Sequence, residues 1–154
     1  MMHEHMPRTL LTLVFVVFAC KGSEKRHGPA LTPVVANQLK ALAGECEVRA
    51  AKSETGTKEL RLCKGRQSMM TIHLDEQRNL MEIEIGIWAP MQDEARILLE
   101  QTVRGLISDQ AIGAMSARLG NTKSDPVVVD GVRVNAFHTQ SPNENPRYTV
   151  DLAW

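Results

Sequence analysis

Two hydrophobic rhythms divide the chain. Apolar and polar side chains alternate in four stretches, at 46–50, 58–64, 68–75 and 80–88. Met70, Ile72 and Leu74 fall on one face of the third stretch, with Met69, Thr71 and His73 on the other. In the fourth, Met81, Ile83, Ile85 and Ile87 oppose Glu82 and Glu84. Period two with charged residues on one side predicts antiparallel strands, packed on one face and solvated on the other. Residues 53–56 read as the turn between the first two strands.

Spacings of three and four take over elsewhere. Val35, Leu39 and Leu42 mark a short amphipathic helix over 33–43, with Pro33 in its first turn and Gly44 as its stop. After Pro90, the residues Ala95, Leu98, Leu99, Thr102, Val103 and Leu106 form one apolar stripe. Asp93 and Glu94 begin that helix in agreement with its dipole. Ser108 or Asp109 can cap a further helical stretch through Met115 to Gly120, so Gly105 either breaks the helix or bends it. The alternation then returns. Asp130-Gly131 between valines predicts a two-residue hairpin turn, and 147–154 reads as a last strand. The order predicts an α+β fold: an antiparallel sheet of about six to seven strands with helices on one face. Residues 33–154 form that single domain.

The first twenty residues carry a different signal. Arg8 precedes Leu10 to Ala19, an apolar run of about ten residues, where a membrane-spanning helix needs about twenty. A cationic head, a short apolar run and a small residue make a secretory signal peptide over 1–19. Translation from Met1, Met2 or Met6 fits this reading, and a start at Met6 removes Glu4 from the head. The run ends in Val17-Phe18-Ala19-Cys20, which resembles the motif of bacterial lipoproteins processed by the lipoprotein signal peptidase. Val17 matches the aliphatic first position, Ala19 the small third and Cys20 the cysteine itself. The resemblance implies that Cys20 becomes the mature N-terminus, holding membrane lipid through a diacylglycerol thioether and an acylated amine. Several acyl chains, at about 0.8 kcal/mol per buried methylene, anchor far more firmly than one. Residues 20–32 then read as the lipidated cysteine and a flexible tether, reaching on the order of 20 Å. Lys21 stands where enteric lipoproteins kept at the inner membrane carry Asp, so the resemblance points to the outer membrane. The domain is expected in the periplasm or at the cell surface.

Composition narrows the function classes. Of 154 residues, 18 are Lys or Arg and 18 Asp or Glu, so no net field attracts a polyanion and nucleic acid is not an expected partner. Aromatic residues make up only 4%, too few for a carbohydrate or single-strand stacking platform. No G-x-S-x-G, H-E-x-x-H or Gly-rich phosphate loop is present.

With Cys20 lipidated, Cys46 and Cys63 remain as a pair in an oxidising compartment, which favours a disulfide. Matching Val48 with Leu62 gives a favoured three-residue loop but sets Cys46 opposite Lys64. In that register the bond needs a bulge near Cys63. His73 faces Glu82 across the next hairpin, with Asp75 two residues on. These three are the candidate ligand or metal residues, set against simple charge pairing on a wet face. His138 is expected in solvent, Trp88 and Trp154 at core edges, Met70 and Met81 in the core, and Met69 on the wetter face. No cofactor is expected. The expected function is a membrane-anchored envelope lipoprotein, a non-catalytic binding or assembly module that meets an envelope protein. Two alternatives stand beside it: a tethered hydrolase around His73, Asp75 and Glu82, and a small-ligand carrier with a cavity between helix and sheet.

Overall fold

A computed structural model describes residues 27–50 and 59–154. The signal peptide, Cys20, most of the tether and the turn at 53–56 lie outside the described residues. Three helices and seven strands follow in the order α1 (Pro33–Ala43), β1 (Glu45–Ala50), β2 (Glu59–Lys64), β3 (Ser68–Leu74), β4 (Leu80–Trp88), α2 (Gln92–Val103), α3 (Asp109–Arg118), β5 (Val127–Val129), β6 (Val132–Thr139) and β7 (Arg147–Ala153). The strands form one antiparallel sheet in the spatial order β1-β2-β3-β4-β7-β6-β5. The first four strands make a meander. The α2–α3 connection carries the chain to the far edge, and β5, β6 and β7 return inward until β7 pairs with β4. The α+β class read from the sequence is the fold observed.

Local chemistry sets the helix ends. The Thr32 hydroxyl accepts the Val35 N–H at 3.3 Å, Pro33 pre-sets the first turn, and Gly44 turns the chain at φ 68°. A Cβ on Gly44 would lie 2.9 Å from the Lys64 carbonyl, so both backbone angle and space require glycine there. Gly105, at φ 80°, separates α2 from α3, and the Ser108 hydroxyl caps α3 by accepting the Ala111 N–H at 3.1 Å. The helix therefore breaks rather than bends. Ser108 also donates to Asp130, tying the α3 start to the β5–β6 turn, where Asp130 and Gly131 both have positive φ as a type I′ turn requires.

All three helices lie on one face. Leu39 of α1, Ala95, Leu99 and Val103 of α2, and Ala111 and Met115 of α3 pack with Ile72, Ile83, Ile85, Val134, Val150 and Leu152 of the sheet in one buried core. Central β4 and β7 supply its middle through the in-register pairs Ile83–Leu152 and Ile85–Val150. Truncating a fully buried Ile such as Ile85 to Ala costs about 2–5 kcal/mol.

Several expectations change. Residues 28–31 are hydrogen-bonded rather than free: the Gly28 N–H donates to the Leu80 carbonyl, and Leu31 to that of Arg78. Gly28 lies so close to Leu80 and Trp154 that any side chain would collide with them. The ordered domain thus includes this segment, ahead of Pro33. Leu80 rather than Met81 takes the core position in β4, because a register shift pairs Leu74 with Leu80 and leaves Met81 as the extra residue. Leu98 is 41% exposed, outside the buried stripe of α2. The β1–β2 register is one residue away from the expected one, with Val48 opposite Arg61 and Cys46 opposite Cys63. The Cys46–Cys63 disulfide closes directly, without a bulge. The reason lies in β2–β3: Cys63 is opposite Met70 on the helix side and buried, which turns Leu60 and Leu62 to the other face.

Candidate functional site

The face of the sheet that is helix-free among the described residues collects most of the unusual chemistry. At its β1–β3 end, Leu62, Lys64, Met69 and Thr71 line a shallow depression with Glu45 and Glu47 beside them. Met69 is 47% exposed at its centre. Towards the middle the face becomes polar. His73 is opposite Glu82, Glu84 opposite Asp151, and Asp151 opposite Asn135.

Gly86 makes room for Arg147. A Cβ at Gly86 would come within 2.7 Å of the Arg147 Nε, so the guanidinium lies directly on the bare backbone of β4. Its carbon stands 5.1 Å from the centre of the Trp88 ring, and its Nη2 is 3.7 Å from Glu84. This stacking adds a cation–π attraction to a loose ion pair. Trp88 thus faces away from the helices, whereas Trp154 packs against the core edge.

Asp151 has a contrasting environment. Arg133 reaches its Oδ2 at 3.3 Å, while Oδ1 is buried with no hydrogen-bond partner. Burial first, then the hydrogen bond and charge of Glu82, push the Asp151 carboxyl up to about 6 against the opposing pull of Arg133 and His73. Asn135, 9% exposed, donates through Nδ2 to the Ser124 hydroxyl oxygen at 2.7 Å, and its own Oδ1 is buried without a partner.

The three candidate residues of the sequence reading do not form one site. His73 and Glu82 are in register as expected. Asp75 instead holds the β3–β4 turn. Its Oδ1 accepts the N–H groups of Gln77 and Asn79 at 2.9 and 2.8 Å, and its Oδ2 meets the Asn79 amide at 3.1 Å and His27 Nδ1 at 2.9 Å. Burial works to raise the Asp75 carboxyl, but these bonds outweigh it and hold the group below the ordinary carboxylate range. His138 is not in solvent: it is half-buried on the helix side, with Nδ1 3.1 Å from the Leu119 carbonyl and its ring against Tyr148. Among the described residues, no three His, Cys, Asp or Glu side chains are grouped to hold a metal ion.

For a carrier, Ala95, Leu99 and Val103 of α2 and Ile83 and Ile85 of β4 are all buried in the one core. An open groove of about 240 Å³ lies elsewhere, between α1 and the β1–β3 end of the sheet, floored by Leu39 and Ile72 with Lys40 and Arg61 at its rim. Sequence reasoning missed Asp151, Asn135 and Arg147. Their alternation with core residues was visible, but β7 meets β4 only through long-range pairing, which no hairpin signal marks. No protein-family model, no curated protein and no solved structure matches the chain. No helix among the described residues is long and apolar enough to cross a membrane.

Proposed function

We propose that this protein is a membrane-anchored lipoprotein of the bacterial cell envelope, a non-catalytic binding or assembly module. In this reading Cys20 carries the lipid, and the helix-free sheet face meets an envelope protein partner. The supporting observation is that face itself. Among the described residues, helices cover only one side of the sheet, and the other side presents Leu62 and the half-exposed Met69 within a rim of charges of both signs. An apolar centre with a polar rim is the anatomy of a protein interface. The partner that fits offers an apolar side chain to the Leu62–Met69 depression and mixed charges to Glu45, Glu47 and Lys64. The signal sequence ending at Cys20 supports the location, and the Cys46–Cys63 disulfide agrees with an oxidising compartment.

Two measurements test the reading. Intact mass spectrometry of the membrane fraction should find a chain beginning at Cys20, heavier by a diacylglycerol and an acyl chain, and lost in Cys20→Ala. A soluble chain cut without lipid overturns the anchor. A photo-crosslinking residue placed at Met69 should trap one discrete envelope protein in cells, and Leu62→Glu should abolish that adduct. A crosslinker at 69 that yields no adduct overturns the docking face.

A further inference from the structure

The two edges of the sheet differ. β5 closes one of them with three residues, Val127–Val129, preceded by Pro126. β1 forms the other with six, Glu45–Ala50, and among the described residues no strand or loop hydrogen-bonds to its outer side. An edge of that length is open to a further strand unless shortness, proline or like charge blunts it. The Cys46–Cys63 disulfide ties β1 to β2, so the edge is held as a strand. The same pair shows which backbone groups face outward. The Cα atoms of Cys46 and Cys63 stand 3.9 Å apart, the close spacing of an antiparallel pair that exchanges no backbone hydrogen bonds. By alternation, the N–H and C=O groups of Cys46, Val48 and Ala50 point away from β2, and those of Glu47 and Arg49 bond to it.

We propose that β1 is the contact of a homodimer: two copies pair their β1 edges antiparallel, with Val48 opposite Val48 of the second copy, and join their seven-stranded sheets into one. Residues with outward groups must be opposite one another, so few registers exist. Matching Val48 with itself sets Cys46 opposite Ala50 of the second copy. All three outward residues of each strand then exchange hydrogen bonds. The same match sets Glu47 opposite Arg49 of the second copy, and by symmetry does so twice. A slip of two residues one way puts Glu47 against Glu47, and a slip the other way puts Arg49 against Arg49, both unfavourable. A longer slip leaves a single hydrogen-bonded pair. The sequence of β1 is therefore complementary to itself in its fullest register.

The side chains agree with this pairing. Glu47 and Arg49 are exposed, and Arg49 Nε lies 2.9 Å from Glu47 Oε1 within the strand. The second copy turns that pair into four alternating charges. Val48 is 56% exposed on the opposite face, where it lines the groove beside α1, and in the dimer each Val48 covers the other. An antiparallel match keeps opposed residues on the same face, so both helix layers lie on one side and the two helix-free faces become continuous. The two Leu62 residues then stand three strand spacings apart, about 14 Å. Such a contact is isologous and uses the long edge of each copy, so assembly closes at two. The dimer rests on neither the lipid anchor nor the docking partner.

The test is sedimentation velocity of the full chain in detergent micelles, with charge reversals on the edge. The wild type should sediment as a dimer that dissociates on dilution. Glu47→Arg brings four arginines together and Arg49→Glu four glutamates, and each alone should weaken association by at least about tenfold. An equimolar mixture of the two variants restores every opposite pair and should dimerise again. Both positions are exposed, so neither change disturbs the core. In a half-labelled wild-type sample, an isotope-filtered nuclear Overhauser effect should join Glu47 Hα to Arg49 Hα of the second copy, which lie close in a pair without backbone hydrogen bonds. A wild type that stays monomeric at millimolar concentration overturns the proposal, as does a dimer that both reversals leave intact. A mixture of variants that stays monomeric overturns it too.

Discussion

Asp75 and Asp151 occupy two similar settings with opposite outcomes. Both are aspartates with a shielded carboxyl oxygen, one in the β3–β4 turn and one on the open face of β7. Asp75 receives four hydrogen bonds, from two backbone amides, one side-chain amide and an imidazole, and its carboxyl is lowered. Asp151 meets one long contact from Arg133, with the acceptors of Glu82 and Asn135 beside it, and is raised to about 6. Burial acts in the same direction on both, so the donors decide the sign. The turn aspartate is part of the scaffold. The sheet aspartate is a group that the scaffold leaves able to respond.

The largest expected effect separates them by substitution. Asp75→Ala strands the Gln77 and Asn79 N–H groups and frees His27, and should cost about 3 kcal/mol at pH 7 in urea unfolding. Breaking the Cys46–Cys63 bond by Cys46→Ser should cost a similar amount, about 3 kcal/mol for a 17-residue separation. That loss leaves both aspartates untouched, so it controls for general destabilisation. Asp151→Asn should have the opposite sign. It should stabilise by about 1 kcal/mol at pH 8, discounted for a partly solvated site, by about half as much at pH 5, and change little only below about pH 4, where the native and unfolded carboxyls are both protonated. His27→Ala removes one of the four Asp75 bonds and should cost about 0.5–1 kcal/mol. It should also raise the Asp75 carboxyl, visible in its titration.

The pH dependence follows from the two signs. A lowered carboxyl stabilises the fold above the unfolded value and loses that contribution as pH falls through the folded one. A raised carboxyl does the reverse, adding stability as pH falls from above 6 towards 4. The Asp151 contribution should therefore grow on mild acidification, and the Asp75 contribution should disappear only in stronger acid.

Much of this architecture could be read along the chain. Alternation in 68–88, the Asp130-Gly131 turn, Pro33 in the first turn of α1, Gly44 at its end and the Ser108 cap are local signals, and each lies where it was expected, whereas the Thr32 cap was read as tether. The His73–Glu82 pairing was also local, being set by one hairpin. The β1–β2 register escaped because loop length and cysteine matching gave conflicting answers, and the long-range packing of Cys63 on Met70 decided between them. Asp75 was assigned to the wrong company for a related reason. Its partners Gln77 and Asn79 are near in sequence, but His27 comes from a segment read as free tether. Asp151 was invisible as a site because its acidic neighbour Glu82 is on β4, which reaches β7 only after the α2–α3 crossover.

The most direct test of the donor account follows both carboxyl carbons in one sample by nuclear magnetic resonance from pH 2 to 8. The account predicts two well-separated midpoints, Asp75 below the usual aspartate value of about 3.9 and Asp151 near 6. Coincident midpoints, or the reverse order, would contradict it.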